Sequence, residues 1–535
     1  MRIRLVEPRA FSNTVYDHSR IPRLGLPQIG ALLRRAGHDV RITVETLAPI
    51  DWDDLLAADL VGFSTTTSTT PPAYAMADRL RAAGRPVVFG GAHVTFLPDE
   101  AMAHADFVVR GEGHTTMIEL VQALEGDGNV EAIAGLSYWR DGQIVHNAPR
   151  PNCDPETFAN LPVPALELIN GYENMGSYPV MTQWGCPYDC NFCSVIKMFG
   201  RRVRARRVED VLDQLATIPA GRELFFYDDN FVVSKKRTKA LLRGMRERGM
   251  VFAWSAQMRA EAIFAERGKG EWDTELLELM RDTGCDYVYI GFESANPEAL
   301  AEYHKQQSVE QIAASIAAFH AYGIKVHGMF VVGCDADTPE AIHATVDFAI
   351  RHEIDTVQFL TITPLPGTEF YYQMEAEGRI LSRDWSLYDG HHALIAPKHM
   401  SAYDLQRASL EGMLRFYAPR RAFGPLIRNM LHEAPFLWQL YWREHRIRVV
   451  LPEILKMAAD AHRAVNIPGM LQSILPLSDW QRLRKMFAVP LFRRYALIHT
   501  RQGLHQPENR RYFEWLRALA QQAGLTAARR ANSQS

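Results

Sequence analysis

Two successive runs of alternating strand and helix patterns constrain this 535-residue chain more than any other feature. In residues 1 to 130 the short apolar stretches "RIRLVEP", "HDVRITVET", "DLVGFSTTT", "RPVVFGGAH" and "DFVVRGEG" are separated by helical patterns such as "LPQIGALLRRAG" and "AYAMADRLRAAG". Parallel strands need crossover connections, so this alternation predicts an α/β domain with a doubly wound parallel sheet. A ligand of such a sheet lies beyond the C-terminal strand ends, where small residues fall here: Gly62, Ser64 and Thr65, then Gly90 and Gly91, then Gly111 and Gly113 flanking Glu112. Asp141 and Gly142 predict a hairpin turn inside "LSYWRDGQIVHN", and the Pro-rich "APRPNCDPETFANLPVPA" reads as a linker.

A second, longer series begins near residue 178. Its strands are "YPVMTQWG", "RELFFYDD", "VFAWSAQM", "DYVYIGFES", "KVHGMFVVG" and "TVQFLTITP", with helices such as "VEDVLDQLATI", "TKALLRGMRERG", "TELLELMRDTG" and "SVEQIAASIAAFHAYG" between them. Six β/α units predict an incomplete barrel, with its chemistry on the loops after the strands. After about residue 398 strand signals fade, and Arg-rich helices run to a polar "TAARRANSQS" expected to be disordered. The expected divisions are 1–145, a 146–177 linker with a hairpin, 178–397, and a mostly helical 398–535.

Residues 401–535 hold 21 Lys and Arg against 9 Asp and Glu, net +12, whereas the rest of the chain is net −15. "MLRFYAPRRAFGPLIRNM", "FLWQLYWREHRIRVVLPEIL" and "LFRRYALIH" interleave Arg with aromatic and aliphatic residues. Such helices either lie on an anionic membrane surface or form a capping domain whose Arg stems pack on neighbouring helices. No nucleic-acid motif accompanies them, so nucleic acid is not an expected partner. No run of about 18 apolar residues and no secretory h-region appears, which places the chain in the cytoplasm, with peripheral membrane contact left open.

Six cysteines are too few for a disulfide scaffold, yet three of them, Cys186, Cys190 and Cys193, share the stretch "TQWGCPYDCNFCSVIKMFG". Thiolates are the usual ligands of iron–sulfur clusters, and a [4Fe-4S] cluster held by three leaves one iron open for chemistry. A zinc site would want a fourth ligand, and between Cys193 and His304 only Cys285 qualifies. Cys153, Cys285 and Cys334 each stand alone and read as packing or surface residues.

The C-x3-C-x2-C spacing, with Phe192 just before the last cysteine, resembles the radical S-adenosylmethionine (SAM) superfamily. The resemblance extends over residues 178 to 370. "FYDDNF" offers Asp228 and Asp229 where the superfamily holds the methionine amino group, "YIGFES" offers Glu293, and "GMFVVGCDADTPE" resembles the Gly-rich stretch near the adenine, with Gly333. Carboxylates at strand ends also suit a charged ligand on chemical grounds alone. The plainer alternative for Asp229 is a helix cap. "WSAQMR" brings Ser255, Gln257 and Arg259 to the same mouth, Arg259 either meeting the SAM carboxylate or lying on the surface. The resemblance implies a [4Fe-4S] cluster whose open iron binds SAM, and reductive cleavage of SAM to a radical that abstracts hydrogen from an inert carbon. An electron donor such as flavodoxin or ferredoxin is implied with it.

Taken with the doubly wound first domain, the chain resembles the cobalamin (B12)-binding radical SAM enzymes over roughly residues 1 to 400. That resemblance implies a Rossmann-like first domain holding cobalamin through Ser64, Thr65, Gly90, Gly91, Gly111 and Glu112, a radical SAM partial (β/α)6 barrel, and C-methylation of a lipid-like or other small molecule. The loop "NTVYDHSRIPRLGL" places His18 directly after Asp17 and lacks the Asp-x-His-x-x-Gly pattern that supplies a lower cobalt ligand elsewhere. Radical carbon–carbon coupling or cyclisation without functional cobalamin remains an alternative, and a non-catalytic iron–sulfur or zinc protein a more distant one. Residues 1–152 contain no cysteine and none follows Cys334, so one cluster is expected. "DWSLYDGHH" resembles a stretch following the barrel in lipid-modifying members, with His391 and His392 expected either near the active site or on the surface.

Overall fold

The computed structural model describes residues 1–11, 20–219, 221–265, 270–444 and 477–533, together with Ile447, Pro452 and Leu475. The first sheet contains β1 (Arg2–Glu7), β2 (Asp39–Val44), β3 (Leu60–Thr65), β4 (Val87–Gly91), β5 (Phe107–Val109), β6 (Leu136–Arg140) and β7 (Gln143–His146). Its order is β2-β1-β3-β4-β5-β6-β7, parallel from β2 to β5 and antiparallel beyond. The β6–β7 hairpin turns at Asp141 and Gly142, both at positive φ, but it extends this sheet instead of belonging to the linker.

Apolar side chains divide between the two faces of that sheet. Leu26 and Leu33 of helix Gly25–Arg35 and Leu120 and Val121 of helix Gly113–Leu124 pack on one face with Ile3, Leu5 and Ile42. Ala73, Ala77 and Leu80 of helix Thr70–Ala82 pack on the other with Val61, Phe63 and Phe89. Both faces are therefore closed, and the strand ends are left for binding.

The second sheet follows from β8 (Tyr178–Val180); β9 (Gln183–Trp184) and β10 (Arg204–Ala205) form a separate antiparallel pair; then come β11 (Glu223–Phe226), β12 (Ala253–Met258), β13 (Cys285–Glu293), β14 (Lys325–Val332) and β15 (Thr356–Thr361). The six long-range strands are all parallel, in the order β15-β14-β13-β12-β11-β8, an open barrel. Period-two alternation sends Val288, Ile290 and Phe292 of β13 into the core beneath the helices. An aromatic column runs through the interior instead: Phe225 and Tyr289 at 5.8 Å, Tyr289 and His327 at 5.0 Å, then His327 and Phe492 at 6.5 Å. Phe492 belongs to the C-terminal helix Leu477–His505, which closes the barrel floor; Arg493 of the same helix donates to the carbonyls of Asp355 and Ile354, just before β15. Burial pushes His327 down to about 4, so that ring is uncharged at neutral pH.

An open barrel exposes an edge strand, whose unpaired backbone groups must be covered. On β15 the Tyr417 hydroxyl does so, accepting from Val357 N–H at 2.8 Å and donating to Val357 C=O at 2.7 Å. Ser409, on helix Ala402–Phe416, donates to Phe359 C=O. The C-terminal region is helical through Ser533, so the polar tail expected to be disordered continues helix Pro507–Ser533. Among the described residues no helix is long and apolar enough to cross a membrane.

Replacing Tyr417 with Phe leaves a buried N–H and C=O of β15 without partners. We expect a loss of about 1–3 kcal/mol in denaturant unfolding, with the barrel mouth, and hence SAM cleavage, unaffected.

Candidate active site

The cysteine loop is pinched at its neck. Trp184 of β9 pairs with Arg204 of β10, and Gly185, at φ +93°, sits where a Cβ would come within 2.8 Å of the Arg202 carbonyl oxygen. Only glycine fits that approach. Within the loop, Cys193 N–H donates to Cys190 C=O, and helix Val195–Phe199 carries the chain back to β10.

All three thiols gather at this point. Burial raises the Cys186 thiol, and Asp229 and Cys190 add to the effect. Burial pushes Cys193 up to about 12, with Cys190, Asp229 and Cys186 contributing. Thiols that penalise one another's ionisation want a cationic centre, because metal coordination removes the proton outright. Arg259, directly after β12, stacks its guanidinium on the Tyr188 ring at 3.8 Å, puts Nη1 3.8 Å from Cys190 Sγ and pairs through Nε with Glu261. Its buried Nη2 has no hydrogen-bond partner among the described residues, which leaves a donor on the same guanidinium that reaches Cys190. Asp229 accepts from Gly185 N–H, and burial next to Asp228 pushes its carboxyl up to about 6. A donor fork and a buried carboxylate beside three thiols fit a cluster and the amino-acid end of SAM. Ser255 and Gln257 point to the same interior from β12, alternating with buried Trp254, Ala256 and Met258.

Other expected residues serve the scaffold. Asp228, fully buried, accepts from Thr182 N–H at 2.6 Å, Thr182 Oγ1 and Gln183 N–H at 3.1 Å, and so clamps the strand entering the loop instead of facing SAM. Gly333 donates its N–H to Asp337, and a Cβ there would collide with Leu405 at 2.6 Å, so it is a packing glycine rather than an open cradle. Phe192 stands edge-on to Tyr303 at 5.2 Å. Glu293 lies inside the barrel in the left-handed region at φ +63°, where β13 loses register, and its Oε1 accepts from Lys305 at 2.6 Å. A non-glycine residue held in that conformation is stored strain of the kind found at ligand sites.

On the first sheet, Ser64, Thr65, Gly90, Gly91 and Gly111 share one edge, at the ends of β3, β4 and β5. Thr65 Oγ1 is buried without a hydrogen-bond partner, and a Cβ at Gly90 or Gly111 would meet open space or a single carbonyl. An orphaned hydroxyl beside vacant backbone fits the tail of a corrinoid. Gly91, at φ +106°, is needed for another reason: a Cβ would strike Thr65 O at 2.3 Å. Asp17 and His18 lie outside the described residues.

Glu112 departs from its expected role as a cofactor residue. It is 5% exposed, pairs with Arg204 at 2.5 Å and accepts from Cys153 N–H at 2.9 Å. With His114 it brings three metal-binding side chains together, but the Arg204 guanidinium, also bonded to Cys153 Sγ, supplies the positive charge there. This cluster is a latch from the first sheet to the cysteine-loop neck. A second strap is the "DWSLYDGHH" segment: Trp385 Nε1 donates to Glu100, and its ring meets His93. His392 pairs with buried Asp389 at 2.9 Å and packs edge-on to Tyr512, which ties it to the fold. Cys285 and Cys334 are buried in apolar clusters. Tyr188, Lys305 and the Glu112–Arg204 pair were not singled out by sequence; the position of Tyr188 inside the C-x3-C loop was the available signal.

Two outcomes follow. Asp228→Asn puts an amide where three donors converge, costing about 1–3 kcal/mol, and iron per chain after anaerobic reconstitution should fall with it. For His392 burial opposes the charge, but Asp389 outweighs it and holds the pKa above the ordinary value. The stabilisation is therefore complete below the unfolded-state pKa near 6.5 and is lost as pH rises through the raised value. Thermal unfolding across that window should show the decline, and Asp389→Asn should flatten it.

Residues 180–349 match the Radical SAM superfamily and residues 15–121 the B12 binding domain. An uncharacterized methyltransferase of Pyrococcus horikoshii is 31% identical over 415 residues, 74% of this chain and 88% of the relative. The bacteriochlorophyllide d C-12(1)-methyltransferase of Chlorobaculum tepidum is 28% identical, covering 81% of this chain and 90% of its own. The structure of the cobalamin-dependent SAM radical enzyme OxsB, with aqua-cobalamin and SAM bound, superposes with a TM-score of 0.63 at 16% identity, over 97% of this chain and 83% of its own, a likeness of fold. With a thiol pocket suited to a [4Fe-4S] cluster and SAM, and a strand edge suited to cobalamin, this chain belongs to the cobalamin-binding radical SAM methyltransferase family.

Proposed function

We propose that this enzyme C-methylates an unactivated carbon of a bulky, largely apolar, cyclic small molecule. The observation that carries the reading is the convergence of Cys186, Cys190, Cys193, Asp229 and Arg259 at one barrel mouth, facing the strand edge that holds Thr65 and Gly90. Several contacts of the first sheet with the barrel come from segments that follow its strands. Glu112 follows β5 and Glu100 follows β4, while Arg204 and Trp385 come from the barrel side; Tyr227, after β11, lies within electrostatic reach of Glu7 and Arg23. The space between them is thus bounded by both C-terminal edges, where each fold binds its ligand.

The bound cluster, SAM and cobalamin supply the electron, the hydrogen-abstracting radical and the methyl group. The chain's part is orientation. Arg259 offers Nη2 to a carboxylate and neutralises thiolate charge beside Cys190, and Asp229 offers a carboxylate to an ammonium. Phe225, Tyr227 and Tyr289 pack their rings together in an interior whose apolar lining would keep solvent from a reactive carbon centre. A bulky cyclic substrate is supported by likeness to the bacteriochlorophyllide methyltransferase over most of its length. Electrons would come from a small donor protein such as a flavodoxin or ferredoxin.

The test is anaerobic: protein reconstituted with iron, sulfide and hydroxocobalamin, reduced, and given methyl-deuterated SAM with an extract from cells lacking the protein. A product heavier by a deuterated methyl group is expected, with 5′-deoxyadenosine formed alongside it. Formation of 5′-deoxyadenosine with a product that carries no label would replace methylation by coupling or cyclisation. Cys190→Ala should abolish 5′-deoxyadenosine while corrinoid, read from its visible spectrum, is retained.

A further inference from the structure

Helices Pro419–His432 and Ala434–Arg443 lie end to end, joined at Glu433. Leu431, Pro435, Trp438 and Trp442 recur at spacings of four, three and four, which places them along one helical face. All four are exposed, Leu431 at 73%, Trp438 at 65% and Trp442 at 54%, whereas Leu440 on the opposite face is 2% exposed. The two indoles stand edge to face at 5.6 Å. Upstream the same stripe carries exposed Arg420 and Arg428, and Arg443 borders Trp442 while paired with Glu444 and Asp479.

From this arrangement we infer that the Arg420–Trp442 stripe is a membrane-contact face that seats the enzyme on an anionic lipid bilayer. Exposed indoles at helical spacing are costly in water and suited to the headgroup boundary, where an apolar ring is buried and its N–H stays wet. Arginines beside them add attraction to anionic headgroups. Charge selects the occupant. The region bearing the stripe is net +12 and the remaining chain net −15, so an anionic surface attracts this end and repels the rest.

The stripe also has a defined place in the fold. Arg421 donates to Ile350 C=O and Arg493 to Arg421 C=O, so helix Pro419–His432 starts at the N-terminal end of β15, away from the cysteine loop. Contact there tethers the enzyme and leaves the mouth open. This deepens the proposed function, on which it rests only for the apolar substrate that a bilayer would concentrate.

The experiment is co-sedimentation of the full-length, cluster-reconstituted protein with vesicles of phosphatidylcholine alone or mixed with phosphatidylglycerol. Binding to the mixed vesicles, weakened by salt, is expected, with little on phosphatidylcholine alone. Trp438→Ser with Trp442→Ser, and separately Arg420→Glu with Arg428→Glu, should each weaken it at least about tenfold, with 5′-deoxyadenosine formation in vesicle-free solution unchanged. Wild-type protein that ignores both vesicles, variants that bind as well as wild type, or a concentration-dependent dimer abolished by the Trp changes would overturn the inference. Failure of wild type to form 5′-deoxyadenosine would instead overturn the reading of the barrel, whatever the vesicles show.

Discussion

The structure depends on how the neck of the cysteine loop is gripped. A loop that carries three thiols, of which each disfavours its neighbours' ionisation, has little reason to keep its shape by itself. Here it is held from both sides by buried charge. Asp228 takes the backbone donors of Thr182 and Gln183 from within the barrel, and Arg204, at the other side of the neck, is paired with Glu112 from the first sheet. A buried pair of that kind contributes little to net stability when formed and is costly to break, so its main effect is to fix one relative placement of two domains.

The same economy appears at the open side of the barrel. A six-stranded arc leaves the outer edge of β15 without a strand partner, and one tyrosine hydroxyl, one serine and the loop containing Gly390 satisfy its backbone. Because the helices that do this continue into the basic C-terminal region, that region completes the barrel as well as decorating it. Its surface charge and its structural duty are therefore carried by opposite faces of the same helices.

Most of the architecture was legible in the sequence, because period-two apolar runs separated by amphipathic helices leave few alternatives. Every strand of the barrel coincides with a stretch that the pattern marked, β13 starting just before its own at Cys285. The β6–β7 hairpin was legible as a hairpin but not as part of the first sheet, since nothing local tells an antiparallel extension from a linker. The three thiols were legible from spacing alone, and the structure brings Asp229 and Arg259 to them. Asp228 and Glu112 hold scaffold partners that the sequence did not show, for one reason: a carboxylate at a strand end serves equally to bind a ligand or to satisfy backbone and arginine donors, and only the fold shows which partners arrive. Gly333 and Gly91 illustrate the same limit, as both are required by neighbours remote in sequence.

The aromatic column that ends at Phe492 has a further implication. Since its lowest ring is contributed by a helix that follows the last barrel strand by a long stretch of chain, the reaction vessel has no bottom until that helix has been made and has docked. Premature termination anywhere before residue 492 would leave a pipe instead of a cup, through which solvent could reach the reacting carbon from below. Helix Leu477–His505 is in that sense part of the container.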